Sequence, residues 1–134
     1  MAIELIGAFI CEKEDIAKLK NADYRTPLEN PVEQLYVTFQ NEPETVDRSL
    51  FGKKVEMKVT GYGCNGRNEG FLVELYPEDE ALKEKAEPIP TPVIAMSYYD
   101  SKPEKTRMMP FYTVEQFTIS GIFGALEDGK VSFE

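Results

Sequence analysis

The 134 residues carry 24 acidic and 15 basic side chains, a net charge of −9, and include no histidine. That length suits one domain with a full hydrophobic core and is short for two. The acidity excludes a broad duplex-DNA surface, and the missing imidazole excludes the usual proton carrier near pH 7, the serine and cysteine triads and histidine metal sites.

A hydrophobic content of 42% and an aromatic content of 11% fit a folded globular chain rather than a disordered one. No apolar run is long enough for a membrane span. The opening Met1-Ala2-Ile3-Glu4-Leu5-Ile6-Gly7 lacks a basic region and an apolar signal core, so a cytoplasmic location is expected. Two cysteines, Cys11 and Cys64, are too few for a disulfide framework. A small anionic ligand in one locally positive pocket stays compatible with this charge, as does a basic protein partner.

In chain order, Glu4 to Ile10 is apolar and predicts a first strand, broken in its side-chain row by Gly7. Glu12 to Lys20 carries Ile16 and Leu19 at helical spacing, acids early and lysines late, and predicts a short helix. Asn21 to Glu33, with Pro27, Asn30 and Pro31, is expected to be loop. Gln34 to Gln40 alternates: Leu35, Val37 and Phe39 share one strand face, and Tyr36, Thr38 and Gln40 share the other. A weak helical turn is expected around Val46 and Leu50.

Lys53 to Leu75 is a predicted β-hairpin. Val55, Met57 and Val59 alternate with polar residues, Phe71, Val73 and Leu75 continue the pattern, and Asn65-Gly66 supplies the turn. Its glycines resemble a phosphate loop in composition, yet they join two strands and open no helix, so they are expected to shape a hairpin tip. Arg67 and Glu69 are expected to pair across that tip or stand exposed. Cys64 has no histidine to activate it and is expected to be a small turn residue.

Glu78 to Glu87 predicts a short exposed helix, and Pro88, Pro90 and Pro92 keep the following chain out of a central ladder. In Val93 to Tyr99, alternation puts Val93, Ala95, Ser97 and Tyr99 on one face and Ile94, Met96 and Tyr98 on the other. Asp100 to Pro110 is a loop bearing Lys102, Lys105 and Arg107, the densest local positive charge. Met108 to Tyr112 is an apolar cluster expected to pack as a loop against the core, with a partner surface as the alternative. Phe117 to Ile122 and Lys130 to Phe133 predict a closing strand pair. The expected class is α+β: one compact domain over residues 1–134, mostly antiparallel sheet with one or two short helices.

Gly61-Tyr62-Gly63-Cys64-Asn65-Gly66-Arg67-Asn68-Glu69-Gly70 is similar to the Gly-Tyr-Gly-x-x-Gly-x-Asn-Glu-Gly segment of the small 2H phosphoesterase-like family, in its branch near RNA-repair and tRNA-ligase cyclic phosphodiesterase domains. Gly7-Ala8-Phe9, Tyr36 to Phe39, Pro92 to Ser97, Ile119 to Gly124 and Gly129 to Phe133 follow in the family's order, so the resemblance spans nearly the whole chain. Active members of this family carry two His-x-Thr or His-x-Ser motifs on facing strands, without metal or other cofactor. The resemblance sets the first motif at Tyr36-Val37-Thr38 and the second at Val93-Ile94-Ala95, so both histidines are replaced and only Thr38 is kept. Val93 cannot transfer a proton, and a tyrosine of pKa near ~10 is poorly poised at neutral pH. No catalytic residue is expected.

The resemblance instead implies a silent module that binds a nucleotide-type ligand, such as a cyclic nucleotide or an RNA end. Tyr36, Thr38, Gln40, Ser97 and Tyr99 would line its cleft, and Lys105 and Arg107 would supply charge. In a phage setting it implies an anti-defence protein that sequesters an immune messenger. Three alternatives stand beside this: a cleft filled in after loss of the histidines, an acidic inhibitor or adaptor for a protein partner, of anti-CRISPR-like or nuclease-blocking kind, and a cyclic phosphodiesterase with chemistry rebuilt around Tyr36.

Overall fold

The computed structural model describes residues 3–40, 47–85 and 87–134, with the backbone alone described for Gln40, Lys85, Glu87 and Pro88. The predicted hairpin is its centre: β4 (Lys54–Cys64) pairs antiparallel with β5 (Asn68–Pro77). Val55, Met57, Val59, Phe71 and Val73 bury completely or nearly so, while Lys54 and Glu74 on the alternate face stay exposed. Burial of each such large side chain contributes ~1.5–3 kcal/mol, which fixes the register because a slip of one residue would expose all of them.

The remaining strands are β1 (Ile3–Phe9), β2 (Asn30–Pro31), β3 (Tyr36–Gln40), β6 (Glu87–Pro88), β7 (Val93–Tyr98), β8 (Tyr112–Glu127) and β9 (Lys130–Ser132). All pairings are antiparallel and give the order β2-β7-β5-β4-β8-β1-β3-β6, with β9 on β8. Among the described residues the helices are α1 (Lys13–Lys20) and α2 (Glu80–Lys85), with short 3-10 segments at Arg48–Leu50 and Pro103–Met108. The class is therefore α+β with a largely antiparallel sheet. Among the described residues, no helix is long and apolar enough to cross a membrane.

Two boundaries differ from expectation. β8 is one strand of 16 residues rather than a short closing strand. Its first part pairs with β4 and its second with β1; Tyr112 and Thr113, with little burial to signal a strand, are held by their ladder to Tyr62 and Gly61, and a bulge carries the chain from there to Phe117. The loop from Asn21 to Glu33 also contributes β2, two residues that pair with the end of β7. Val46 and Ala86, expected near helical turns, lie outside the described residues.

The core is one cluster running from Ile6 and Ala8 through Val37, Phe39 and Met57 to Phe123 and Leu19 of α1. Phe123 is gripped edge-on by Phe39 and Phe51, at centroid distances of 5.2 and 5.8 Å. Asp15 of α1 accepts hydrogen bonds from the Ser120 backbone N–H and hydroxyl, at 3.1 and 3.2 Å, which seats the helix on β8. The sheet curls until β3 and β7, each second from an end of the strand order, lie within 8 Å at Cα.

Two hairpin glycines have different duties. At Gly66 the backbone is left-handed (φ +85°) in open space, whereas a Cβ at Gly70 would sit 2.6 Å from the Ile94 carbonyl oxygen on β7. Gly66→Asn should stay within ~0.5 kcal/mol of the parent, since Asn tolerates this conformation. Gly70→Ala should lose ~1–3 kcal/mol by forcing β5 and β7 apart. Urea unfolding measures both, and equal losses would contradict this division of roles.

Candidate functional site

Tyr36 and Thr38 project from β3, and Val93 and Ala95 from β7, into one shared cavity of about 230 Å3. They do so because the alternate residues on each strand, Leu35, Val37 and Phe39 on one and Ile94 and Met96 on the other, are committed to the core. Val32 and Gln34 close one side and Ile89 another. The roof is the 3-10 segment, which contributes Pro103, Glu104 and Arg107. Tyr36, Thr38, Val93 and Ala95 all remain partly accessible, so the cleft is open rather than filled in.

The Tyr36 ring is held against Phe9, centroid to centroid 5.3 Å. Burial, and then the negative charges of Glu104 and Glu4, push its hydroxyl above the ordinary tyrosine value. At neutral pH it is therefore a hydrogen-bond donor and not a base.

The 3-10 geometry sorts the loop's charges. Three residues per turn stack Glu104 above Arg107 on the cleft side. Lys102 and Lys105, out of phase with them, turn to a shallow groove by the hairpin tip with Asn65, Arg67 and Met108. Lys105 is thus not a cleft residue. Met109 is buried as expected for a packed loop, while its neighbour Met108 is 77% exposed.

Ser97 and Tyr99 also leave the expected row. Glu69 pairs with Ser97 but Gly70 pairs with Ala95, so Met96 is an extra residue in β7, a β-bulge. The bulge resets the alternation and turns Ser97 into the interior, on the far side from Val93 and Ala95. Tyr99 lies past the end of β7 and is half exposed, its backbone N–H donating to the Arg67 carbonyl at 2.8 Å. For Gln40 only the strand backbone is described, so its side chain lies outside the described residues.

What holds Ser97 is Glu69, which neither pairs with Arg67 nor stands exposed. Its carboxylate is fully buried at the start of β5. Arg25 grips it with two N–H donors at 2.7 and 2.9 Å, the Tyr62 hydroxyl donates at 2.7 Å and the Ser97 hydroxyl at 2.5 Å. The same hydroxyls accept from the Thr26 and Leu28 backbone N–H groups, at 2.7 and 2.8 Å. Cys64 adds a weak thiol contact to the Thr26 carbonyl. Burial alone would raise the Glu69 carboxyl, but the donors from Arg25, Ser97 and Tyr62 outweigh it and hold it below the ordinary carboxylate range. Sequence pattern gave Arg25 no signal, since it lies 44 residues away in an irregular loop.

The 21–33 loop carries Val32 into the cavity wall, so this buried network shapes the site without touching it. Among the described residues, no group of three or more metal-ligating side chains comes together. Compared with family models, with curated proteins and with solved structures, the chain matches none.

Removing one partner of the buried pair leaves the other charge uncompensated, so Arg25→Met should cost ~3–5 kcal/mol. The sign of the pH effect follows from Glu69 being lowered in the folded state. Its stabilisation is complete above the unfolded value of about 4.3 and is lost as pH falls through the folded value. Urea unfolding between pH 7 and pH 3 should show a steeper acid decline for the parent than for Glu69→Gln; parallel curves would show that Glu69 carries no such linkage.

Proposed function

We propose that the chain is a catalytically silent 2H phosphoesterase-like module that binds a nucleotide-type ligand, a cyclic nucleotide or an RNA end, without cleaving it. The observation that carries this reading is the open cavity between Tyr36 and Thr38 on β3 and Val93 and Ala95 on β7. Those are the strands on which the resemblance sets the two motifs, and they come to face one another although they are not sheet neighbours.

The lining suits capture rather than turnover. Ile89, Val32, Val93 and Ala95 offer apolar walls to a base, and the Tyr36 ring offers a face for stacking. Thr38 and the protonated Tyr36 hydroxyl can donate to phosphate oxygens, and Arg107 supplies charge at the rim. Val93 has no proton to exchange, and Tyr36 is displaced further from neutrality than a free tyrosine. Two matched proton carriers are the minimum for metal-free phosphodiester transfer, and neither stands on these strands. A volume near 230 Å3 is below the ~300–1,000 Å3 of typical ligand pockets, so the cavity takes part of a nucleotide and leaves the rest at its mouth. In a phage such a module would act by sequestration, removing a messenger from its receptor.

A thermal-shift panel of 2′,3′-cyclic mononucleotides, cyclic di- and trinucleotides and ADP-ribose tests this. Ligand at 100 times its Kd should add ~2.7 kcal/mol to stability. Arg107→Ala should weaken the binding about tenfold, ~1.4 kcal/mol. The nucleotides should be recovered intact after prolonged incubation. No stabilisation by any of them, or cleavage that survives purification, would overturn the reading.

A further inference from the structure

Glu104 is an odd neighbour for a phosphate. It lines the same cavity as Arg107, one 3-10 turn away, and its charge is felt at the Tyr36 hydroxyl. A pocket built only to attract anions would not carry a carboxylate at its mouth, because the like charges repel. The carboxylate is also not spent on internal pairing. Among the described residues, no ion pair engages either Glu104 or Arg107, although helical spacing stacks them. The cavity therefore presents two separate demands, an acceptor-only group and a donor-only group, flanking apolar walls and an aromatic face.

A ligand meeting both must be anionic at one end and offer N–H donors at the other. An ionised carboxylate accepts through two parallel oxygens and donates nothing. Of the four common bases, guanine alone presents two adjacent donors on its pairing edge, N1–H and the N2 amino group, at the spacing of a carboxylate's two oxygens. Adenine and cytosine present one amino donor beside a ring acceptor, whose lone pair would face a carboxylate oxygen. Uracil presents one N–H between two carbonyl acceptors. We infer that Glu104 is a specificity-determining residue that selects a guanine nucleotide, its base seated between the Tyr36 ring and the Val93–Ala95 wall and its phosphate toward Arg107. This rests on the nucleotide-binding reading of the cleft and names the base that cleft accepts.

The size of the preference follows from exposure. A fully buried polar pair rejects a ligand lacking its partner by several orders of magnitude. Glu104 stands exposed at the rim, where water competes, so the preference should be about tenfold.

Isothermal titration of the purified chain with the 2′,3′-cyclic phosphates of guanosine, inosine, adenosine, cytidine and uridine tests the assignment. The guanosine form should bind about tenfold tighter than the adenosine form. Inosine, which keeps N1–H but lacks the amino group, should fall between them. Glu104→Gln offers one acceptor and one donor, the complement of adenine's edge, so the preference should vanish or reverse while the melting temperature is unchanged. Equal affinity for all five in the parent chain, or a guanine preference that survives Glu104→Gln, would overturn the inference while leaving the nucleotide site intact. Binding of none of the five would remove both.

Discussion

A buried carboxylate with four donors on it, Glu69, is the constraint around which the cavity-bearing half of this molecule is organised. Buried charge is costly unless paired and hydrogen-bonded, and here the partners come from three separate parts of the chain. Arg25 comes from the irregular loop, Tyr62 from β4 and Ser97 from β7. Satisfying one group thus fixes the loop's path over the sheet and the face that β7 shows at its end. The cost of leaving Glu69 unpaired makes the arrangement close to all-or-none, which is what a precise cavity wall needs.

The cleft inherits its shape from that arrangement. The bulge at Met96 turns Ser97 inward to Glu69 and leaves Val93 and Ala95 facing β3 across the gap. The loop held by Arg25 brings Val32 to the wall, and Asn68, next to Glu69, donates through its side chain to the Lys102 carbonyl at 2.8 Å. Thr106 is fully buried against this corner, so the segment bearing Glu104 and Arg107 is anchored at its centre. Thr91 and Asp100, just outside the two ends of β7, adopt left-handed backbone, as does Asp128 between β8 and β9; a β-branched residue such as Thr91 seldom does so. The polar core is thus spent on holding the strands and the 3-10 segment in position around the cleft.

Much of this was legible in the sequence and some was not, for physical reasons. The hairpin, β3 and α1 announce themselves because half-buried elements must repeat with the period of their geometry. The two faces of β3 follow from the same rule, and so did the places of Tyr36 and Thr38. Ser97 was misplaced because alternation carries only to the first bulge, and the Met96 bulge leaves no mark in residue types. β8 was underestimated because its first residues owe their conformation to β4 and not to their own burial. Glu69 looked like a surface acid at a glycine-rich tip, since its partner Arg25 is distant in sequence and irregular in setting. Arg107 faces the cleft and Lys105 faces away, a division the sequence does not show because a charged loop gives no phase until its 3-10 winding is known.

The central claim is that the face shared by β3 and β7 is where a nucleotide sits. Amide chemical-shift mapping of the 15N-labelled chain, titrated with guanosine 2′,3′-cyclic phosphate, addresses it residue by residue. Saturable shifts should centre on Tyr36, Thr38, Val93, Ala95 and Arg107, with Glu69 and Tyr62 little moved. Shifts centred instead on Arg67, Lys102 and Lys105 at the hairpin tip, or none at millimolar ligand, would contradict it.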